Sequence, residues 1–169
     1  IRISALQQRL SSQLLQPRSK PYFLWQLRHA SAVTLQQSSQ IKDNKMTVKL
    51  AINGFGRIGR LVLRALIEGD FPDVEIVSIN SPGATNIMAH LLQFDSTHGN
   101  LPQAPQHGED WMDVGFGKIA ITHERDPSAL PHAAHSVDVV LECSGKFNSH
   151  GKASAHLTAG AKKVLVSAP

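Results

Sequence analysis

The chain predicts an α/β fold, a doubly wound and mostly parallel sheet flanked by helices, and three observations lead there. Short apolar runs bounded by turn residues recur from Met46 onward and alternate with stretches of helical spacing. One run, Val137–Cys143 (Val-Asp-Val-Val-Leu-Glu-Cys), is nearly continuous, as expected of a parallel strand buried on both faces. The first run passes into a helical pattern through Gly54, Gly56 and Gly59, spaced Gly-x-Gly-x-x-Gly.

Taken in order, residues 1–45 are rich in Gln, Ser and Arg and carry no acid until Asp43. This composition fits an organellar transit peptide, but the preferred reading is an extension upstream of a start at Met46. Ile3 to Leu15 has weak helical spacing, and no stable domain is expected in this leader. Val48–Asn53 reads as strand one and Ile58–Gly69 as an amphipathic helix broken by Phe71-Pro72-Asp73. Glu75–Asn80 is strand two, followed by a Ser81-Pro82-Gly83 loop, and Asn86–Gln93 repeats apolar residues at Ile87, Leu91 and Leu92. Gly108–Val114 and Lys118–Thr122 predict an antiparallel excursion around Gly115-Phe116-Gly117. After the apolar run at 137–143, Ser154–Ala159 predicts a helix of small residues closed by Gly160, and Val164–Ser167 a last short strand. The domain organisation expected is therefore a leader over 1–45 and one domain, incomplete at its end, over 46–169.

The glycine spacing gains meaning from its place between strand and helix. Gly54 would make the tight turn, Gly56 would let backbone approach a pyrophosphate, and Gly59 would let the helix pack closely on the strand. The helix N-terminus would then offer free N–H groups and a partial positive charge to the phosphates. A glycine-rich turn without a ligand is the alternative that the motif alone leaves open. With the strand and helix on either side, the pattern is a dinucleotide fingerprint in a Rossmann-like sheet.

Charge and cysteine content exclude several classes. Residues 1–45 hold seven Lys or Arg and one acid, whereas residues 46–169 hold ten basic and twelve acidic side chains. The basicity belongs to the leader, so nucleic-acid binding by the folded part is not expected. The single Cys143 excludes an internal disulfide and a multi-cysteine metal site, and the nine histidines share no metal-ligand spacing and are expected to be mostly solvated. No apolar run approaches 18 residues, which argues against a membrane span and for a cytoplasmic protein, or an organellar one if the leader is a transit peptide.

Four ordered segments carry a resemblance that covers the chain from about Thr47 to Pro169. They are Val48 to Arg60 (VKLAINGFGRIGR), Ala89 to Gly99 (AHLLQFDSTHG), Glu124-Arg125-Asp126-Pro127, and Thr158 to Val164 (TAGAKKV). Together they resemble the N-terminal, NAD(P)-binding domain of phosphorylating glyceraldehyde-3-phosphate dehydrogenase, or its erythrose-4-phosphate relative. The resemblance implies that backbone at Asn53, Gly54, Phe55, Gly56, Arg57 and Ile58 holds the pyrophosphate of NAD. It places Asn80 and Ser81 beside the adenosine ribose, Arg125 on the adenine side of the cleft, Ser144 and Gly145 against the cofactor, Phe147 flanking adenine, and Ser167 near the nicotinamide. From the residues alone, Arg125 could equally be a surface arginine, and a serine ending a strand is ordinary without a ligand.

Ser81 departs from the family pattern, which has an aspartate accepting from the ribose hydroxyls. Serine bonds a hydroxyl without charge assistance and no longer repels a 2′-phosphate. No Lys or Arg stands between Ser81 and Gln93 to attract that phosphate. The expectation is NAD first, with its preference over NADP relaxed.

The family reaction needs a low-pKa cysteine thiolate beside a base. Cys143 lies in an apolar strand pattern and is expected to be a buried, inert thiol, so no catalytic residue is assigned; the resemblance puts the nucleophilic cysteine beyond Pro169. Two readings follow. One is the cofactor-binding half of an enzyme that oxidises glyceraldehyde 3-phosphate with NAD and phosphate, a homotetramer when full-length; the other is a stand-alone NAD(P)-binding module without turnover.

Overall fold

A computed structural model describes residues 47–167, which fall within a compact unit spanning Lys45–Pro169. The expectations for the leader, including the weak helix from Ile3 to Leu15, lie outside the described residues. Val, Leu and Ile alternate with Lys, Ala and Asn along β1 (Val48–Asn53), and this strand becomes an interior strand of a seven-stranded sheet. On one side of it lie β2 (Val74–Asn80) and β7 (Lys118–Thr122), both parallel, then antiparallel β6 (Trp111–Asp113) and β5 (Gln106–His107). On the other side lie β8 (Val139–Glu142) and β9 (Lys163–Val166), again parallel. A separate hairpin of β3 (Phe94–Asp95) and β4 (Gly99–Asn100) follows the second helix.

The two helices that follow β1 and β2 are α1 (Arg57–Glu68) and α2 (Thr85–Gln93). Their apolar stripes, Leu63 from α1 and Met88, Ala89 and Leu92 from α2, bury against Ile52, Ile79 and Ile121 of the sheet. Arg64 is buried in the same helix, where it reaches Glu68 at 2.6 Å and donates to the carbonyls of Gly99 (2.7 Å) and His98 (3.1 Å). A charge is tolerated there because each of its three nitrogens has a partner, and the arginine thereby ties the hairpin to α1. The opposite face of the sheet packs a smaller cluster of Ala51, Val137, Val140 and Ala161.

Several elements differ from the expectation. The strand predicted over 137–143 is shorter, and its burial alternates: Val140 and Glu142 are buried, but Val139 and Leu141 are half-exposed. Leu165, the β9 partner of Leu141, stays 62% exposed. The helix predicted over 154–159 is two short turns, α3 (His150–Ala153) and α4 (Ala155–Thr158). They meet at Ser154, whose hydroxyl bonds back to the Gly151 carbonyl at 2.7 Å and competes with regular helix there. The antiparallel excursion is present, but Gly108 ends a hairpin rather than opening a strand, its N–H bonding the Trp111 carbonyl at 2.9 Å. Two of the histidines expected to be solvated, His132 and His156, are buried.

Strand order locates the site. The chain leaves β1 toward β2 and β7, then returns to β8 on the other side of β1. Between β1 and β8 the winding reverses, and a crevice opens at such a point outside the carboxyl ends of the strands.

Candidate cofactor site

At that reversal, a cleft of about 510 Å³ is lined by the ends of three parallel strands and the loops that follow them. It gathers Asn53, Gly54, Phe55, Gly56, Asn80, Ser81, Arg125, Ser144 and Phe147 from the residues singled out in the sequence. Arg57, Ile58, Gly145 and Ser167 do not line it. Arg57 and Ile58 begin α1 with exposed side chains, so only their backbone is available at the turn. Ser167 follows β9, its N–H bonded to the Glu142 carbonyl at 3.0 Å. The cleft also takes in Pro82, Glu124, Cys143 and Lys146, which the sequence did not point to.

The glycine turn is shaped by the absence of side chains. Gly54 holds φ +95°, and a Cβ there would lie 2.5 Å from the Ser144 nitrogen and 2.6 Å from its Cα. A Cβ on Gly59 would strike the carbonyl oxygen of Gly54. At Gly56 the situation reverses: a Cβ would meet nothing within 4 Å. Gly56 also caps α1 without a side-chain hydrogen bond, and no acid stands in the first turn. The amides that begin a helix lack intrahelical partners, so this uncapped end presents donors and positive potential. Open space at Gly56 and an uncapped helix end, with Lys146 on the same cleft lining, form a chemically suitable seat for a diphosphate.

Beneath the cleft runs a row of polar side chains at one register level. Thr122, Asn80, Asn53 and Glu142 are paired residue to residue across β7, β2, β1 and β8. An irregularity in β2, where Ala51 pairs with Ser78 although Leu50 pairs with Ile76, brings Asn80 level with Asn53. The Thr122 hydroxyl donates to Asn80 Oδ1 at 2.9 Å, Asn80 Nδ2 to Asn53 Oδ1 at 2.8 Å, and Asn53 Nδ2 to Glu142 Oε2 at 2.5 Å. Asn80 also clasps the backbone of Glu124, donating to its carbonyl and accepting from its N–H, each at 2.9 Å. That clasp positions the loop carrying Arg125. Glu124 adds its own carboxylate, which accepts from the amides of Arg125 (2.7 Å) and Asp126 (3.0 Å).

Ser81 is buried at the rim, its N–H bonded to the Thr122 carbonyl at 3.0 Å. His123 Nδ1 lies 2.8 Å from the Ser81 carbonyl, and the ring stays outside the cleft lining.

Cys143 corrects one expectation. It stands one residue past β8, half-buried, and lines the cleft instead of lying within a strand. Burial pushes its thiol pKa up and the neighbouring Glu142 charge adds to this, against a hydrogen bond from the Ser167 side chain. The group is therefore a neutral thiol, without the depressed pKa that nucleophilic catalysis needs. Among the described residues no cluster of His, Cys, Asp or Glu could hold a metal ion, and no helix is long and apolar enough to cross a membrane.

Residues 48–150 match the family described as glyceraldehyde 3-phosphate dehydrogenase, NAD binding domain. Over 124 residues the chain is 56% identical to a glyceraldehyde-3-phosphate dehydrogenase of Xanthobacter flavus and 54% identical to that of Cereibacter sphaeroides. Each match covers 73% of this chain and 37% of the relative. Identity to glyceraldehyde-3-phosphate dehydrogenase 2 of Bacillus subtilis is 43% over 124 residues, covering 73% of this chain and 36% of that protein. The chain thus spans somewhat more than a third of the length of the curated relatives it matches.

Proposed function

The chain belongs to the glyceraldehyde 3-phosphate dehydrogenase family through its NAD-binding domain, and from that membership we propose that residues 46–169 bind NAD in the cleft between β1 and β8. The observation that carries this reading is the turn at Gly54–Gly59, with open space over Gly56 in front of an uncapped helix. In the proposed arrangement, backbone from Asn53 to Ile58 takes the pyrophosphate. Asn80 and Ser81 face the adenosine ribose, Arg125 and Phe147 border the adenine, Ser144 and Gly145 lie against the cofactor, and Ser167 lies near the nicotinamide. Bound there, NAD would supply a hydride acceptor; the residues described here supply binding and orientation.

As part of a longer protein, the domain would serve oxidation of glyceraldehyde 3-phosphate in a cytoplasmic homotetramer, with residues 1–45 as a leader. The neutral Cys143 thiol favours a second reading for the 169 residues by themselves, a module that binds NAD without turnover. Calorimetric titration of the 169-residue chain with NAD and with NADP tests the binding. A folded chain that gives no response to millimolar NAD removes the reading. A hundredfold preference for NAD over NADP would remove the relaxed specificity ascribed to Ser81. NADH formation from glyceraldehyde 3-phosphate by this chain alone would overturn the second reading.

A further inference from the structure

One buried ionisable group under the cleft has no part in contacting a cofactor. Glu142, the last residue of β8, is 1% exposed, and both of its oxygens are fully engaged. Oε1 accepts from the Ser144 backbone N–H at 2.7 Å and from the Ser144 hydroxyl at 2.5 Å. Oε2 accepts from Asn53 Nδ2 at 2.5 Å and faces His156 Nε2 at 3.0 Å. A carboxylate has about four lone-pair sites, and here four donors occupy them. Those hydrogen bonds, led by the one from His156, hold Glu142 below the ordinary carboxylate range in spite of its burial.

Behind the carboxylate stands a relay of two buried rings. His156 is 0% exposed, and its Nδ1 lies 3.0 Å from His132 Nε2. Burial first, and then the neighbouring His156 and His135, hold the His132 pKa down to about 4, so this ring is neutral at physiological pH. The Glu142 carboxylate can only accept, so His156 Nε2–H donates to it. His132 Nδ1 is buried without a hydrogen-bond partner. Glu142 therefore sits where the end of β1, the Ser144 turn and α4 converge. The Ser144 turn is also the backbone against which Gly54 packs.

We propose that Glu142 is a positioning residue for the cofactor cleft: as a carboxylate it ties the Ser144 turn to Asn53, and His156 fixes its orientation. The proposal rests on the cofactor reading above. Replacing the acid by its amide keeps the shape but turns one acceptor into a donor, which must face Asn53 and His156 or the two Ser144 donors.

The test is titration of the 169-residue chain and its variants with NAD, together with amide hydrogen exchange at Ser144 without cofactor. E142Q is expected to weaken NAD binding at least tenfold and to speed Ser144 exchange at least tenfold, leaving the Ile79 amide in β2 unchanged. M112A, a core truncation away from the cleft, is expected to lower the melting temperature without changing NAD affinity, which separates bracing from general destabilisation. H156Q, which still carries a donor for Oε2, is expected to bind NAD within threefold of the parent, whereas H156L loses affinity as E142Q does. An E142Q variant that binds NAD within twofold of the parent, or unchanged Ser144 exchange, overturns the proposal. If E142Q does not fold, equal NAD affinities of H156Q and H156L overturn it instead. A parent chain that binds no NAD defeats the cofactor reading separately, and Ser144 exchange then decides the brace alone.

Discussion

The Gly54–Gly59 turn and the Cys143–Phe147 turn meet at the floor of the cleft, the first built from missing side chains and the second from a buried carboxylate. In the glycine turn, Gly54 yields to Ser144, Gly59 yields to Gly54, and Gly56 leaves space toward the ligand. The Ser144 turn is held by side chains: Glu142 grips its amide and hydroxyl, and Ser144 Oγ accepts in turn from the Lys146 N–H at 3.1 Å. A backbone-built wall depends on sterics and should respond to any added methyl group. A carboxylate-built wall depends on protonation and donor count and should respond to pH and to isosteric changes.

The largest expected effect is on the glycine wall. Gly59→Ala places a methyl against the Gly54 carbonyl, backbone against helix, with no flexible atom to give way. A loss of about 3 kcal/mol is expected, or a melting temperature lower by about 10 °C, read by thermal unfolding. An unchanged melting temperature would mean that α1 can move away from β1.

Next comes the acid response of the carboxylate wall. His132 titrates at about 4 in the folded chain and at about 6.5 when unfolded. Between these values the unfolded chain binds more protons, so stability present above pH 6.5 is lost as pH falls toward 4. The loss is on the order of 3 kcal/mol at full titration. Unfolding midpoints measured from pH 7 to 4 should fall less steeply in H132N, which cannot take up that proton. Equal slopes would show that the relay does not set the acid limit.

Gly56→Ala separates ligand from fold. Its Cβ meets nothing in the protein, so the melting temperature should stay within about 2 °C. The methyl enters the space proposed for the diphosphate, and NAD affinity should fall about tenfold, or about 1.4 kcal/mol. Unchanged NAD affinity would move the phosphates elsewhere.

The smallest effect is expected at the rim. Ser81→Asp restores a charged acceptor toward the ribose and should strengthen NAD binding about fivefold, or about 1 kcal/mol, while weakening NADP. Paired titrations check it, and a variant that gains NADP affinity would contradict the role given to Ser81.

How much of this was legible beforehand differs between the two walls. The glycine turn could be read from spacing because strand, turn and helix follow one another within a few residues, although the contact that Gly54 makes with Ser144 is not local. Strands β1, β2 and β7 were legible for the same reason, since period and punctuation are local. Glu142 gave no comparable signal. In the sequence it is one acid in an apolar run, and its partners Asn53, His156 and Ser144 lie 89, 14 and 2 residues away. His132 and His156 read as solvated because nothing local says that the sheet face above them is closed. Lys146 and Glu124 reach the cleft only because β8 and β7 end there.

By itself the sequence determined the period of β1, β2, β7 and the two longer helices, the glycine turn and the identity of the family, since these depend on residues close together in the chain. The tertiary structure decided where the winding reverses, that a β2 irregularity brings Asn80 level with Asn53, and that a carboxylate is buried with four donors around it. The reason is physical: a buried charge is tolerable only when distant segments supply its hydrogen bonds, and only the folded sheet brings them together.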